Sequence, residues 1–261
     1  MNYPSLIRQE QDGLTYYQFR LLQAAPGLQH GIFTRLGGES SGELSGLNLS
    51  FSVGDRAERV AGNRRRVREL LDLDSLTSLK QVHGIESVVI ANGKGQDTTG
   101  TPEKETGDIL LTDRIGVGLM IKQADCQAVI LYDPEHRAVT NLHCGWRGNA
   151  RNVIAVGIRK MQAVYGTDPS SLLAAVGPSL GPCCAEFIHY RDELPQEAWK
   201  YQGRPLYFDL WQWSRDQLRA AGVGEENIAV AGICTACHTE EFFSYRKEKV
   251  TGRFGTVVGL V

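Results

Sequence analysis

Ala124–Gly148 reads ADCQAVILYDPEHRAVTNLHCGWRG, and the rest of the chain is organised around it. Gln127–Tyr132 is a compact apolar run that ends in Asp133-Pro134, a turn signal, and Ala138–Leu142 resumes it. Two strands joined by that turn form a hairpin. Cys126 at the start of the first strand then comes close to His143 at the end of the second. Asp125 precedes the cysteine, and Gly145-Trp146-Arg147-Gly148 follows the histidine. Soft metal donors, a carboxylate, an indole and a guanidinium are thereby compressed into one region, the expected active centre.

Working outward, Asp108–Thr112 and Gly116–Gln123 have strand character and lead directly into Asp125-Cys126. On the other side, Asn149–Tyr165 has helical spacing through Val153, Ile154, Ile158 and Met161 and stops at Gly166. Leu172–Val176 is a buried strand leading into a rigid turn that ends in Cys183-Cys184. Asp209 caps a helix through Ala221, Ile228–Gly232 is a further strand, and Thr256–Val261 closes the chain. Toward the N-terminus, Leu14–Leu22 and Gln29–Phe33 read as strands. A helix is expected over Asp55–Leu71, capped by Asp55, with Val60, Val67, Leu70 and Leu71 facing the core. Arg64, Arg65 and Arg66 fan over roughly 200° of that helix, which predicts a solvated face and no cationic patch. The polar, glycine-rich Asn92–Gly107 reads as a mobile loop. Strands outnumber helices without alternating with them, so the expected class is α+β, a single-domain sandwich of mixed β-sheets with helices packed outside, spanning residues 1–261.

A chain of 261 residues with a formal charge of −2 and an ordinary apolar fraction does not read as a nucleic-acid-coating or disordered protein. No apolar run reaches the roughly 18 residues of a membrane span, and Met1–Gln11 lacks a signal-peptide pattern, so the expected location is the cytoplasm. Six cysteines in such a chain read as thiols, not as a disulfide framework.

The chemistry follows from three donors. His83 lies in Leu79–Gly84, between an apolar stretch and a glycine, where it can point into a cleft. With Cys126 and His143 it supplies two imidazoles and a thiolate, the three-ligand pattern of a catalytic zinc site with an open fourth position. Such a metal lowers the pKa of a bound water to roughly 7. Mixed nitrogen and sulfur ligation suits copper as well. Without a metal, Cys126 as nucleophile and His143 as its base would make a cysteine hydrolase or deamidase. The glycines around Thr34–Asn48 suit a substrate-facing loop beside Arg35. Cys234-Thr235-Ala236-Cys237 is a C-x-x-C that is either redox-active or half of a zinc site. No second C-x-x-C completes it, and Cys183-Cys184 approaches only through folding, so buried thiols lining the cleft are the expectation there.

The motifs Thr34-Arg35, Gly37-Gly38, Leu47-Asn48-Leu49, Gln81-Val82-His83-Gly84, Ala124-Asp125-Cys126, His143 to Gly148, Gly177-Pro178, Cys234-Thr235 and Phe243-Ser244-Tyr245-Arg246 occur in this order. Together they resemble the multicopper polyphenol oxidase or laccase-domain family, also described as zinc-dependent purine nucleoside phosphorylases. The likeness runs from about Gly31 to the end of the chain. It implies a sandwich-type fold and a zinc ion on His83, Cys126 and His143. It also implies phosphorolysis of adenosine, inosine, guanosine and methylthioadenosine, with deamination of adenosine. Purine nucleosides and phosphate would be the partners. Ala128 stands where the family often has proline, and Cys144 stands where it often has alanine, which would add a thiol near the metal. Six histidines with no H-x-H pair argue against a four-copper laccase.

On this reading Asp125 moves a proton or orients a ligand histidine. Arg35, Arg147 and Arg246 hold phosphate or ribose oxygens, because guanidinium forks match phosphate. Asn48, Gln81 and Ser244 are polar substrate contacts, and Trp146 stacks on the base.

Overall fold

The computed structural model describes residues 3–91 and 97–261. Two six-stranded mixed sheets lie face to face. The first has the strand order Leu6–Gln11, Leu14–Phe19, Leu28–Phe33, Phe254–Leu260, Val117–Gln123, Ser75–Thr77. The second has the order Ile228–Val230, Leu173–Val176, Gln127–Asp133, Ala138–Cys144, Ile109–Thr112, Ser87–Val89. The hairpin read from the sequence forms the middle of the second sheet, antiparallel, with Ala128 opposite His143 and Gln127 opposite Cys144.

Alternation along the central strands builds the layers. Ile130, Tyr132 and Val139 point between the sheets, where they meet Leu119, Ile121 and Val258 of the first sheet. Their neighbours Val129, Leu131 and Leu142 point the other way and pack on Ile154, Ile158 and Leu218 of two outer helices, Val153–Tyr165 and Leu210–Ala220. On the far side, Met120 and Val257 pack against Val67 and Leu71 of helix Ala57–Leu70 and the residue after it. The result is a helix-sheet-sheet-helix sandwich of the α+β class, as the strand-rich pattern implies.

Several local expectations are revised. Leu6–Gln11 adds an edge strand paired to Leu14–Phe19, and its polar side chains suit an edge. The helical stretch after the hairpin is two helices, Trp146–Ala150 and Val153–Tyr165. Asn152 breaks it at φ 51°, a left-handed conformation asparagine tolerates, and its side chain accepts from Ala155 N to cap the second helix. Asp55 does not cap Ala57–Leu70, because its carboxylate accepts from Ser40 and Asn48.

Arg64 is the largest departure. It is fully buried, not solvated. Its guanidinium donates to Leu49 O, Thr98 O and Glu103 Oε1. Glu103 also takes Lys122 and Ser78, and Asp97 takes Leu76 N. Residues 97–107 are therefore anchored in the core by buried charge, contrary to the expectation of a mobile loop. The remainder of that loop, 92–96, lies outside the described residues. Burial pushes Glu103 up, but Lys122 and Arg64 together hold it down at about 2.

Candidate metal centre

Three chain segments converge on His83, Cys126 and His143. Cys126 and His143 come from the open end of the central hairpin. His83 comes from the segment between strands Ser75–Thr77 and Ser87–Val89, which is clamped from behind: Gln81 Nε2 donates to Lys122 O, and Lys122 N donates to Gln81 Oε1, both at 2.9 Å. The donor atoms of the three residues all lie within 4.8 Å of one another. Cys126 Sγ is 3.7 Å from His83 Nε2, and the two imidazole centroids are 4.8 Å apart at 70°.

Asp108 organises this group. Its buried carboxylate accepts from His143 Nδ1 at 2.8 Å, leaving Nε2 as the free ligand atom. The same carboxylate accepts from the backbone N–H groups of Val82, His83 and Gly84 at 3.2, 3.0 and 2.7 Å. Those bonds hold His83 at φ 60°, a region non-glycine residues seldom occupy. One carboxylate thus orients both imidazoles, one through its ring and the other through its backbone. Gly145 closes the cradle. A Cβ there would sit 2.9 Å from Cys126 Sγ and 3.0 Å from His83 Cδ2, so only glycine leaves the donors undisturbed.

The electrostatics favour a thiolate. Burial disfavours it, but His143 and His83 bring the Cys126 pKa down to about 6. Burial likewise disfavours imidazolium at His143, yet Cys126 and Asp108 raise it to about 9. Two nitrogens and a thiolate at this spacing, with a carboxylate behind one histidine, could hold a metal ion on three protein ligands. Cys144 does not crowd that site. It faces the opposite side of its strand from His143, is buried, and donates to Asn149 Oδ1 at 2.9 Å. Burial raises its pKa.

The surrounding residues separate into those free to reach a ligand and those spent inside the protein. Asp125, at φ 89°, accepts from Thr235 Oγ1 at 2.8 Å, Ser244 Oγ at 2.6 Å and Arg246 N at 2.6 Å. The carboxylate that orients a ligand histidine is therefore Asp108, not Asp125. Asn48 is fully buried, bonded to Ser50, Asp55 and Arg253 N. Ser244 is buried as well and caps Tyr245–Glu248. With Gln81 clamped on Lys122, all three polar side chains are hydrogen-bonded within the protein. Arg35 pairs with Glu248 at 2.7 Å and lies over the Phe243 ring. Arg246 donates to Cys184 O and Glu186 O. Arg147 is exposed and stacks on the half-buried Trp146, its guanidinium carbon 4.3 Å from the ring centroid.

Two residues of this region escaped the sequence reading. Asp108 precedes the strand Ile109–Thr112, and a carboxylate heading this mostly apolar, fully buried strand was the signal that a buried partner awaited it. Arg253, beside the last strand, is near enough to Cys126 and Asp125 to feel both charges. Burial nevertheless lowers its pKa. A single arginine after a glycine carries no comparable signal.

Comparison with known proteins places this geometry in context. Residues 29–261 match the family described as multi-copper polyphenol oxidoreductase laccase. The chain is 34% identical over 250 residues to purine nucleoside phosphorylase YlmD of Geobacillus stearothermophilus, covering 89% of this chain and 90% of that protein. It is also 34% identical to a purine nucleoside phosphorylase of Deinococcus radiodurans, covering 92% of each. Among solved structures, a hypothetical protein YfiH of Bacillus licheniformis superposes with a TM-score of 0.89 at 27% identity, covering 99% of this chain and 100% of that one. The crystal structure of YlmD from G. stearothermophilus superposes with a TM-score of 0.87 at 31% identity, covering 98% and 99%.

Proposed function

The chain belongs to the multi-copper polyphenol oxidoreductase laccase family, and from that premise and the His83, Cys126, His143 triad we propose a zinc-dependent purine nucleoside phosphorylase that also deaminates adenosine. The observation that carries the metal is the set of three donor atoms within 4.8 Å of one another, with Asp108 fixing the tautomer of His143. The nucleoside chemistry is supported by the names of relatives aligned over most of the chain. In phosphorolysis, phosphate forms a bond to C1′ as the bond from C1′ to the purine nitrogen breaks, giving free base and a pentose 1-phosphate. A zinc ion, when held by His83, Cys126 and His143, would supply Lewis acidity.

The chain's own residues then divide the work. Asp108 keeps both imidazoles in position. Arg147 is the exposed guanidinium for an anionic oxygen, and Trp146 beside it is the flat surface for a base. Arg253 and Arg246 contribute positive charge along the same wall. Asp125, Ser244, Asn48, Gln81 and Arg35 act as positioning residues, because their polar groups are engaged with neighbouring segments. A four-copper oxidase has too few ligands here. Among the described residues, His30 accepts from Phe19 N, His136 binds Asp133 and His238 binds Glu240, away from the triad.

Metal content by mass spectrometry, with product analysis on adenosine and inosine with and without phosphate, tests the proposal. Hypoxanthine from inosine only when phosphate is present is the expected result, with inosine from adenosine in its absence. No product in any arm would sink it. A second reading has its own observation: Cys126, His143 and Asp108 also line up as thiol, imidazole and carboxylate, the constellation of a cysteine hydrolase. That reading requires turnover to survive chelators and to be lost in step with alkylation of Cys126.

A further inference from the structure

Cys183, Cys184, Cys234 and Cys237 have no part in the centre described above. They come from two turns far apart in sequence. Strands Leu173–Val176 and Ile228–Val230 run parallel and adjacent, and a bridge between Ser179 and Cys234 extends their pairing. The chain leaving each strand therefore turns at the same end of the sheet, bringing Cys183-Cys184 against the C-x-x-C. All four sulfurs lie within 4.8 Å of one another. Cys237 Sγ is 3.5 Å from both Cys183 Sγ and Cys184 Sγ.

We propose that these four cysteines form a second metal site, a closed tetrahedral zinc centre that is structural. A mononuclear zinc with bonds of about 2.3 Å to four thiolates requires sulfur-sulfur edges of ~3.8 Å, which fall between the 3.5 Å separations from Cys237 and the 4.8 Å span of the cluster. An iron-sulfur cluster would place its thiolates on different irons and spread them more widely. A disulfide would use only two of the four, and Cys237 stands equally far from two candidate partners. The turns are also shaped for sulfur ligands. Gly181 N donates to Cys234 Sγ at 3.3 Å, and a Cβ at Gly181 would meet Cys234 Cβ at 3.0 Å and the Trp211 ring at 2.7 Å. Four thiolates around a divalent ion leave negative charge. Two guanidinium groups stand against it, Arg204 donating to Cys183 O and Arg246 to Cys184 O.

The site would lock a wall of the first centre. Leu180 N donates to Asp125 O at 2.8 Å, and Thr235 Oγ1 donates to the Asp125 carboxylate. Both turns that carry the cysteines thus hold the residue immediately before Cys126. Two of the four thiols, Cys183 and Cys237, are exposed, so the ion can be loaded and stripped from solvent.

This inference does not rest on the nucleoside reading, since it is tested by counting metal. The intact chain, purified under reducing conditions, should carry about two zinc ions, and Cys237→Ser should carry about one while keeping that at His83, Cys126 and His143. Zinc content unchanged by Cys237→Ser would overturn the proposal, as would iron in place of zinc. If that variant does not fold, cobalt(II) added to metal-stripped Cys126→Ala decides. Intense visible bands of tetrahedral cobalt with thiolate charge transfer in the near ultraviolet are expected. Their absence, or a Cys237 disulfide in peptides from the unreduced protein, would overturn it.

Discussion

The two thiol-bearing centres of this protein are built on opposite plans. The first mixes two imidazoles with one thiolate, presents three donors, and is held from behind by a buried carboxylate. The second is all sulfur, presents four donors, and is held by the turns at the ends of two parallel strands. Three protein ligands leave a position open for chemistry, whereas four close it. Donor number and backing thus set the two clusters apart, though both lie at the same end of one sheet.

The sharpest way to break that contrast is to remove one ligand. Cys126→Ala should cost turnover on the order of a thousandfold or more, and should leave the second site's metal in place. Steady-state kinetics and metal analysis on the same preparation check it. Equal loss of both metals would erase the distinction between the centres.

The next effect is on the fold behind the first centre. Glu103 neutralises the buried Arg64 and Lys122, and Lys122 is the residue on which Gln81 clamps the His83 segment. Replacing Glu103 by Leu strands two buried cations and should destabilise the protein by about 3–5 kcal/mol in urea unfolding. A smaller loss would mean that water reaches those groups.

Asp108→Asn should be milder. It keeps the shape but removes the charge behind His143, and metal affinity at the first centre should fall roughly 10- to 100-fold by competition with a chelator. Affinity at the four-cysteine site should not move, because among the described residues the Asp108 carboxylate accepts from the segment 82–84 and from His143.

The smallest effect is a shift in pH. In metal-stripped protein, the peptide carrying Cys126 should be alkylated half-maximally near pH 6, not near the pH 9 of an ordinary thiol. Because the folded pKa is lowered, the reactive thiolate persists down to about that pH and is lost only as pH falls through it. Cys144, whose pKa burial raises, should stay unmodified across the range. Mass mapping of alkylated peptides separates the two.

Much of the first centre was legible without coordinates. A hairpin is a local object, its strands marked by apolar runs and its turn by Asp133-Pro134, so Cys126 and His143 could be brought together from the sequence. His83 entered through its motif. Asp108 was legible only as the head of a strand, because its partners lie on other elements. The hydrogen bonding of the polar residues in the shared motifs was hidden for a related reason. Asn48, Gln81 and Ser244 are spent on backbone and buried carboxylates, and a motif does not say whether a polar side chain faces inward or toward a ligand.

Period, turn chemistry and residue type act over short range, and they made the strand-rich α+β pattern, the central hairpin and three side chains able to hold a metal readable from the chain alone. Only the tertiary structure decided that Arg64 is buried against Glu103, that Asp108 backs both histidines, and that four cysteines from two distant turns meet. Each of those depends on which strands lie side by side, and a parallel pairing such as Leu173–Val176 with Ile228–Val230 leaves no mark in the local sequence.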